Sequence, residues 1–323
     1  ADMAAAGVDH VAMEASSHGL DQARMEAVHL AAAAFTNFTQ DHLDYHPDME
    51  AYFQAKAALF SRLLPEDGVA VINTDDAFGA RLAAQVRQRV IRVGQSPDSD
   101  LRILAQRYGA QGQDLRFALK GAAHHVHLPL VGGFQAWNAL VALGLVLATG
   151  ADAGAAIAAM EHLEGVRGRM QLAATRDNGA PVFVDYAHTP AAVETALMAL
   201  RPHVMGRLIV VLGAGGDRDK AKRPLMGRAA AEHADVVFVT DDNPRSEVPA
   251  DIRAEILKAC PEATEIGDRA EAILRAVDAL EPGDALLIAG KGHETGQIIA
   301  GTVYPFDDLE QASVAVAALD GRL

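Results

Sequence analysis

Val182-Phe183-Val184-Asp185 is followed by Tyr186-Ala187-His188-Thr189, and an apolar-periodic run then extends from Pro190 to Leu200. The spacing predicts a strand, a polar turn and a helix with proline at its start. The unit recurs downstream. A strand over 208–212 precedes a helix near 224–233. A strand over 236–240 precedes a helix near 249–259, and a helix near 269–280 leads into a strand over 285–289. Short β-branched runs alternating with helices predict a parallel sheet covered on both faces. In such sheets ligands sit outside the carboxyl ends of the strands. The polar clusters here, 185–188, 213–222, 241–245 and 290–294, all follow strands.

The first half is more mixed. A strand over 11–14, a helix over 47–64 and a strand over 69–73 are expected. Short antiparallel strands over about 90–130 follow, then helices over 134–149 and 153–163. Gly165-Val166-Arg167-Gly168 ends the helical pattern. It places a domain boundary there, giving domains over 1–166 and 167–323.

The composition sets bounds. The chain has 323 residues and a net charge of −15, with half its residues apolar. It folds, and two α/β domains fit the length. A pI near 5.2 argues against a general nucleic-acid binder, which needs a basic face. The single Cys260 excludes an internal disulfide and points to a cytoplasmic setting. The apolar stretch 141–160 contains Asp152 and several glycines, so membrane insertion is not expected. The chain opens Ala1-Asp2-Met3 inside a helical pattern, and a missing natural N-terminus is expected.

Only six lysines occur, against 22 arginines. Lys56 falls inside the helical stripe Met49, Phe53, Phe60 and Leu63. Either its stem snorkels past the helix edge, or it is a desolvated amine available for covalent chemistry. Asp41, His42, Asp44 and His46 could hold a metal or orient water, and Glu14 at the end of a strand suits Mg²⁺. Gly213-Ala214-Gly215-Gly216 fails the dinucleotide fingerprint, because Arg218 stands where the third glycine belongs. The charged stretch 217–223 suits an anionic small molecule, or a solvated loop. Pro244 restricts Asn243 to extended geometry and holds Arg245 where its fork could clamp a carboxylate. His124, His125 and His127 read as surface residues on a short strand. No G-x-x-x-x-G-K-[ST] phosphate loop occurs in the chain.

Seven motifs stand in order: 14–20 (EASSHGL), 41–46 (DHLDYH), Lys56 in its helix, 185–190 (DYAHTP), 215–218 (GGDR), 242–245 (DNPR) and 290–294 (GKGHE). With them the chain resembles the Mur ligases, and among these the ligases that add meso-diaminopimelate in peptidoglycan precursor synthesis. The resemblance implies the last part of a P-loop-type central ATPase domain followed by a Rossmann-like, doubly wound C-terminal domain. It implies ATP and Mg²⁺. ATP would phosphorylate the D-Glu carboxylate of UDP-MurNAc-L-Ala-D-Glu, and an amine of diaminopimelate would displace phosphate to form the amide. Catalysis is then mainly positioning and charge neutralisation.

The family's roles transfer as follows. Lys56 matches a carbamylated lysine and, with Glu14 and His42, the catalytic metal site. Ser16, Gln22 and Arg24 match contacts to the nucleotide-sugar. Asn138, Arg169 and Asp185 match ATP contacts. Arg218, Asp242, Asn243, Pro244, Arg245, Gly290 and Glu294 match the site of the incoming amino acid. Diaminopimelate has a second carboxylate that Arg245 could clamp, and lysine lacks it. A buried, unanswered Arg245 would penalise lysine by roughly several kcal/mol. The resemblance also implies a uridine-holding domain and a phosphate loop that the chain does not contain, so residues 1–323 are expected to be inactive alone, and a monomer is expected. Two alternatives stay open. One is another ligase of the superfamily, lysine-adding or similar to folylpolyglutamate synthetase. The other is a non-catalytic nucleotide-binding module.

Overall fold

The computed structural model describes residues 2–39 and 45–322. Along the chain the elements are α1 (Asp2–Ala5), α2 (Ser17–Asp21), β1 (Ala32–Phe35), α3 (Met49–Ala58), β2 (Val69–Asn73) and α4 (Ala77–Ala83). Next come β3 (Arg89–Gly94), β4 (Leu101–Gly109), β5 (Gly112–Leu119), β6 (Ala122–Leu128), α5 (Gln135–Ala148) and α6 (Ala153–Ala159). The second half contains β7 (Gln171–Thr175), β8 (Pro181–Asp185), α7 (Pro190–Leu200), β9 (Leu208–Leu212), α8 (Lys222–His233), β10 (Val236–Val239) and α9 (Pro249–Leu257). It ends with β11 (Thr264–Glu265), α10 (Arg269–Asp278), β12 (Ala285–Ala289), β13 (Gly296–Ile299), β14 (Thr302–Pro305) and α11 (Asp308–Leu319). Two compact units result. One comprises 1–105, 115–126 and 136–160, and the other comprises 106–114, 127–135 and 161–323.

In the first sheet the strands run in chain order from β1 to β6. β1, β2, β3 and the start of β4 pair in parallel. Links of two residues join β4 to β5 and β5 to β6, which only antiparallel neighbours permit. The core of the first unit gathers Leu20, Phe35, Phe38, Tyr52, Phe53, Phe60, Ile72 and Leu82. Asp48 caps α3 by accepting from the Ala51 amide at 2.8 Å. The helix then widens into a π-turn over Leu59–Leu63, and Arg62 in that turn donates to the Leu20 carbonyl at 2.6 Å. This bond ties the end of α2 to α3.

The second sheet has the order β11-β10-β9-β12-β8-β7. Only β7 is antiparallel to its neighbour. β12 inserts between β8 and β9, so the winding reverses there. Alternation divides the side chains. Leu208, Val210 and Leu212 pack with Val193, Leu197, Met226 and Ile256 of α7, α8 and α9. Ile209 and Val211 pack with Ile273, Val277 and Val316 of α10 and α11. Every residue of β9 and β12 is buried, as central strands of a doubly covered parallel sheet must be.

His203 closes one edge of this unit. Its Nδ1 lies 2.6 Å from the Gly109 carbonyl oxygen, and its Nε2 accepts from the Gly132 amide at 3.0 Å. The first bond requires a proton on Nδ1 and the second a lone pair on Nε2, so the ring is neutral. Burial lowers its pKa below the ordinary value, against the pull of its backbone partners.

One expected strand is absent. Among the described residues, 11–14 have no strand partner, and they are exposed, Val11 at 58% and Met13 at 51%. A short apolar run that ends in polar residues does not make a strand without a neighbour to pair with. Glu14 therefore lies in an irregular exposed segment and not at a strand end. β3 also departs from the antiparallel expectation, since it pairs in parallel with both neighbours.

Candidate active site

In the first unit, Ser16 is the N-cap of α2, and its hydroxyl accepts from the Gly19 amide at 3.1 Å. Just past the helix, Arg24 donates to Gln22 at 2.6 Å. Gln22 reaches the Tyr45 hydroxyl at 3.4 Å, and Tyr45 donates to Asp21 at 2.7 Å. The three residues assigned to the nucleotide-sugar are themselves exposed and border one short, mostly buried helix. His42 and its neighbours 40–44 lie outside the described residues. Lys56 is half-buried, with Nζ 5.3 Å from the Tyr52 ring centroid. It is less enclosed than a central place in the apolar stripe implies, because it stands near the end of α3. Asn138 is exposed in the first turn of α5.

The richer constellation is in the second unit, at the carboxyl ends of β8, β9, β10 and β12. Asp185 ends β8. Its two carboxylate oxygens accept from the amides of Met170 at 2.7 Å and Ala187 at 2.8 Å. Burial raises its pKa above the ordinary carboxylate value, while both backbone bonds and Arg169 act in the opposite direction. Arg169 lies over the Tyr186 ring, 5.1 Å from the centroid.

The Asp242-Asn243-Pro244-Arg245 turn follows β10. Asp242, Asn243 and Pro244 are buried and Arg245 is half-buried. Arg245 has φ 54°, the left-handed region. Two backbone bonds hold it there, from its amide to the Ile298 carbonyl at 2.9 Å and from the Ala300 amide to its own carbonyl at 2.7 Å. Its guanidinium donates to the Gly216 carbonyl at 2.7 Å. Gly290 has φ +118°, and a Cβ there would stand 2.6 Å from Asp242 Oδ2. Only glycine lets the chain pass the Asp242 carboxylate so closely. Asn243 Nδ2 donates to Glu294 Oε2 at 2.8 Å. Asp242, Asn243, Arg245, Gly290 and Glu294 are therefore assembled in one place. Arg218 is exposed on the loop after β9.

Several supporting residues escape a sequence reading. Lys291 is fully buried and bonds Asn243, Glu294 and the Gly296 carbonyl. Arg269 and Asp308 form a fully buried bidentate pair, both bonds 2.7 Å. Arg269 also donates to the carbonyls of Ala289 at 3.0 Å and Asp241 at 3.4 Å, which fixes the ends of β12 and β10 relative to each other. Buried Arg223 pairs with Glu247 and Glu255, both at 2.9 Å. Its bonds, with those from the Asp217 amide and Lys220, hold the Glu247 carboxyl down at about 2. Lys291 stands inside the GKGHE motif and is one of only six lysines, a signal that the sequence reading applied to Lys56 alone. The arginine pairs join positions too far apart to be read from spacing.

Such a site offers acceptors (Asp242, Glu294) beside donors (Arg245, Asn243). It suits a zwitterion that carries an extra carboxylate. Among the described residues, no helix is long and apolar enough to cross a membrane.

Comparison with known proteins gives two family matches, the Mur ligase middle domain over residues 1–146 and the Mur ligase glutamate ligase domain over residues 168–292. The chain is 53% identical over 323 residues to a UDP-N-acetylmuramoyl-L-alanyl-D-glutamate–2,6-diaminopimelate ligase from Caulobacter vibrioides, covering 99% of this chain and 66% of the relative. It is similar to a solved structure of a ligase of the same name, with 37% identity, TM-score 0.73, and coverage of 98% of this chain and 66% of the other. A Mycobacterium tuberculosis folylpolyglutamate synthase shares the fold, with 22% identity, TM-score 0.64 and coverage of 92% and 65%. The chain spans about two thirds of the length of the curated relatives it matches.

Proposed function

The chain belongs to the Mur ligase family, and from that premise we propose that it forms the greater part of an ATP-dependent ligase adding meso-diaminopimelate to UDP-MurNAc-L-Ala-D-Glu. The observation that carries this reading is Arg245, pinned in a left-handed backbone beside Asn243 and Glu294. In this reading the domains run over 1–166 and 167–323, and the reaction is cytoplasmic. Glu294 and Asp242 take the ammonium of the incoming amino acid. The Arg245 fork takes its distal carboxylate, with Arg218 adding positive charge. Asn243 holds Glu294 in place, and Pro244 stiffens the turn between them.

Asp185 and Arg169 of the second unit are assigned to ATP, and Asn138 of the first unit is assigned to ATP separately. Asp185 acts by pinning the Met170 and Ala187 amides. Ser16, Gln22 and Arg24 meet the nucleotide-sugar. Glu14, His42 and a carbamylated Lys56 are the candidate Mg²⁺ ligands. Glu14 supplies a hard oxygen donor that suits Mg²⁺. Carbamylation of the half-buried Lys56 would turn a repelling ammonium into an anion. Mg²⁺ when bound neutralises phosphate charge. Residues 1–323 hold no phosphate-loop sequence, and we assign ATP turnover to the product of the complete reading frame.

Because Arg245 is half-buried and not enclosed, the penalty against lysine is one charged hydrogen-bond pair, about 1.5–3 kcal/mol, or roughly 10–150-fold in kcat/KM. The test is ADP release by the product of the complete reading frame, given UDP-MurNAc-L-Ala-D-Glu and Mg²⁺. Meso-diaminopimelate, lysine and no acceptor are compared. Release that depends on diaminopimelate is expected. Equal release with lysine overturns the role of Arg245, and no release with any acceptor overturns the ligase.

A further inference from the structure

Lysine is almost never fully buried unless it is paired. Lys291 has no exposed surface, and its three N–H groups meet three acceptors: the Gly296 carbonyl at 2.6 Å, Glu294 Oε2 at 3.1 Å and Asn243 Oδ1 at 3.3 Å. Asn243 Oδ1 also accepts from the Ile298 amide at 2.9 Å. Two donors aimed at that atom fix the amide with oxygen toward Lys291, so Nδ2 must donate elsewhere. It donates to Glu294 Oε2 at 2.8 Å. Lysine, asparagine and glutamate therefore close a triangle in which each touches the other two. Glu294 Oε2 is held twice, while Oε1 receives no bond from the described residues, and the side chain is 33% exposed.

We propose that Lys291 is a positioning residue that sets specificity for the incoming amino acid. It touches no substrate itself. It orients Asn243 and presents Glu294 Oε1 to the ammonium group of an amino acid with two charged ends. A lone buried ammonium placed elsewhere would not fix both partners at once. The inference rests on the reading of this cluster as the amino-acid site.

The test uses Lys291→Met, Glu294→Gln and the double variant in the product of the complete reading frame. Loss of an aligned charged hydrogen bond should raise KM for meso-diaminopimelate by about 10-fold or more in Lys291→Met. KM for ATP and kcat should stay within about two-fold, because uniform binding is what is lost. If Lys291 acts through Glu294, the double variant has the KM of Glu294→Gln alone. That comparison stands even where Lys291→Met folds poorly, since the double variant leaves no carboxylate without its cation. Unchanged KM in Lys291→Met, or fully additive effects in the double variant, overturns the role of Lys291 and leaves the ligase reading intact. Wild-type protein indifferent to diaminopimelate overturns both.

Discussion

Replacing Asp308 by alanine isolates what the buried pair contributes. Asp308 and Arg269 have no exposed side-chain surface, and their two bonds are both 2.7 Å. Burial works against the Arg269 charge, yet Asp308 outweighs it and the guanidinium pKa lies above its ordinary value. Asp308→Ala leaves that cation hydrogen-bonded to the carbonyls of Ala289 and Asp241, with only the more distant charges of Asp242 and Glu294 to answer it. Breaking a fully buried pair from one side costs about 3–5 kcal/mol. For a unit of this size that is a fall in Tm of roughly 6–20 °C. Arg269→Met with Asp308→Leu removes both charges. Its residual cost comes from the Ala289 carbonyl left without a donor, about 1–3 kcal/mol. The double variant should therefore be more stable than Asp308→Ala. Urea unfolding followed by far-UV circular dichroism measures the difference, and hydrogen exchange of β10 and β12 peptides reads this unit separately. A loss below about 1 kcal/mol in Asp308→Ala, or a double variant no better than the single one, refutes the reasoning.

Other expectations follow from the same geometry. The folded pKa of His203 is depressed by burial, so its contribution is intact above the unfolded value of about 6.5 and is lost as pH falls from there toward the folded value. Wild-type urea midpoints should drop between about pH 7.5 and pH 5.5 by more than those of His203→Gln, and equal drops would contradict the neutral-ring assignment. A Cβ at Gly216 would stand 1.9 Å from the Pro244 carbonyl oxygen, whereas one at Gly215 meets the mobile tip of Arg245 at 2.7 Å. Gly216→Ala should cost about 1–3 kcal/mol of stability; Gly215→Ala should leave stability nearly unchanged and raise KM for meso-diaminopimelate. Reversed behaviour of the two variants would mean the turn is not held as described. If Lys56 is the carbamylated lysine proposed above, Lys56→Arg keeps the charge but cannot be carbamylated, so turnover should be lost, and the carbamate signal that isotope-labelled bicarbonate should give with the wild type should be absent from the variant. A fully active variant would remove Lys56 from the metal site.

How much of this was legible in the sequence depended on range. The strands β8, β9, β10 and β12 were readable because each is a short β-branched run ended by polar residues, and α7 spans the expected Pro190–Leu200. The DNPR turn and the GKGHE loop were readable as pieces, since proline and glycine constrain the backbone locally. Their meeting was not, because Asn243 and Glu294 are 51 residues apart and are joined only by the insertion of β12. The Arg269–Asp308 pair spans 39 residues and depends on α10 and α11 packing together. The hairpin of β13 and β14 left little trace because it is short and largely exposed. The run over 11–14 misled for the opposite reason: its apolar composition is local, while a strand exists only through a partner.

The left-handed backbone of Arg245 bears on how this protein can change over generations. At φ 54° a glycine or asparagine would sit more comfortably, so mutation without selection should drift this position away from arginine. Gly215 leaves room for the guanidinium, whose hydrogen bond to the Gly216 carbonyl is to an exchangeable backbone acceptor. If Arg245 holds a second carboxylate as proposed, a lineage that ceased to require that group would keep the fold and lose this side chain early, and position 245 would then record which amino acid the protein has been selected to accept.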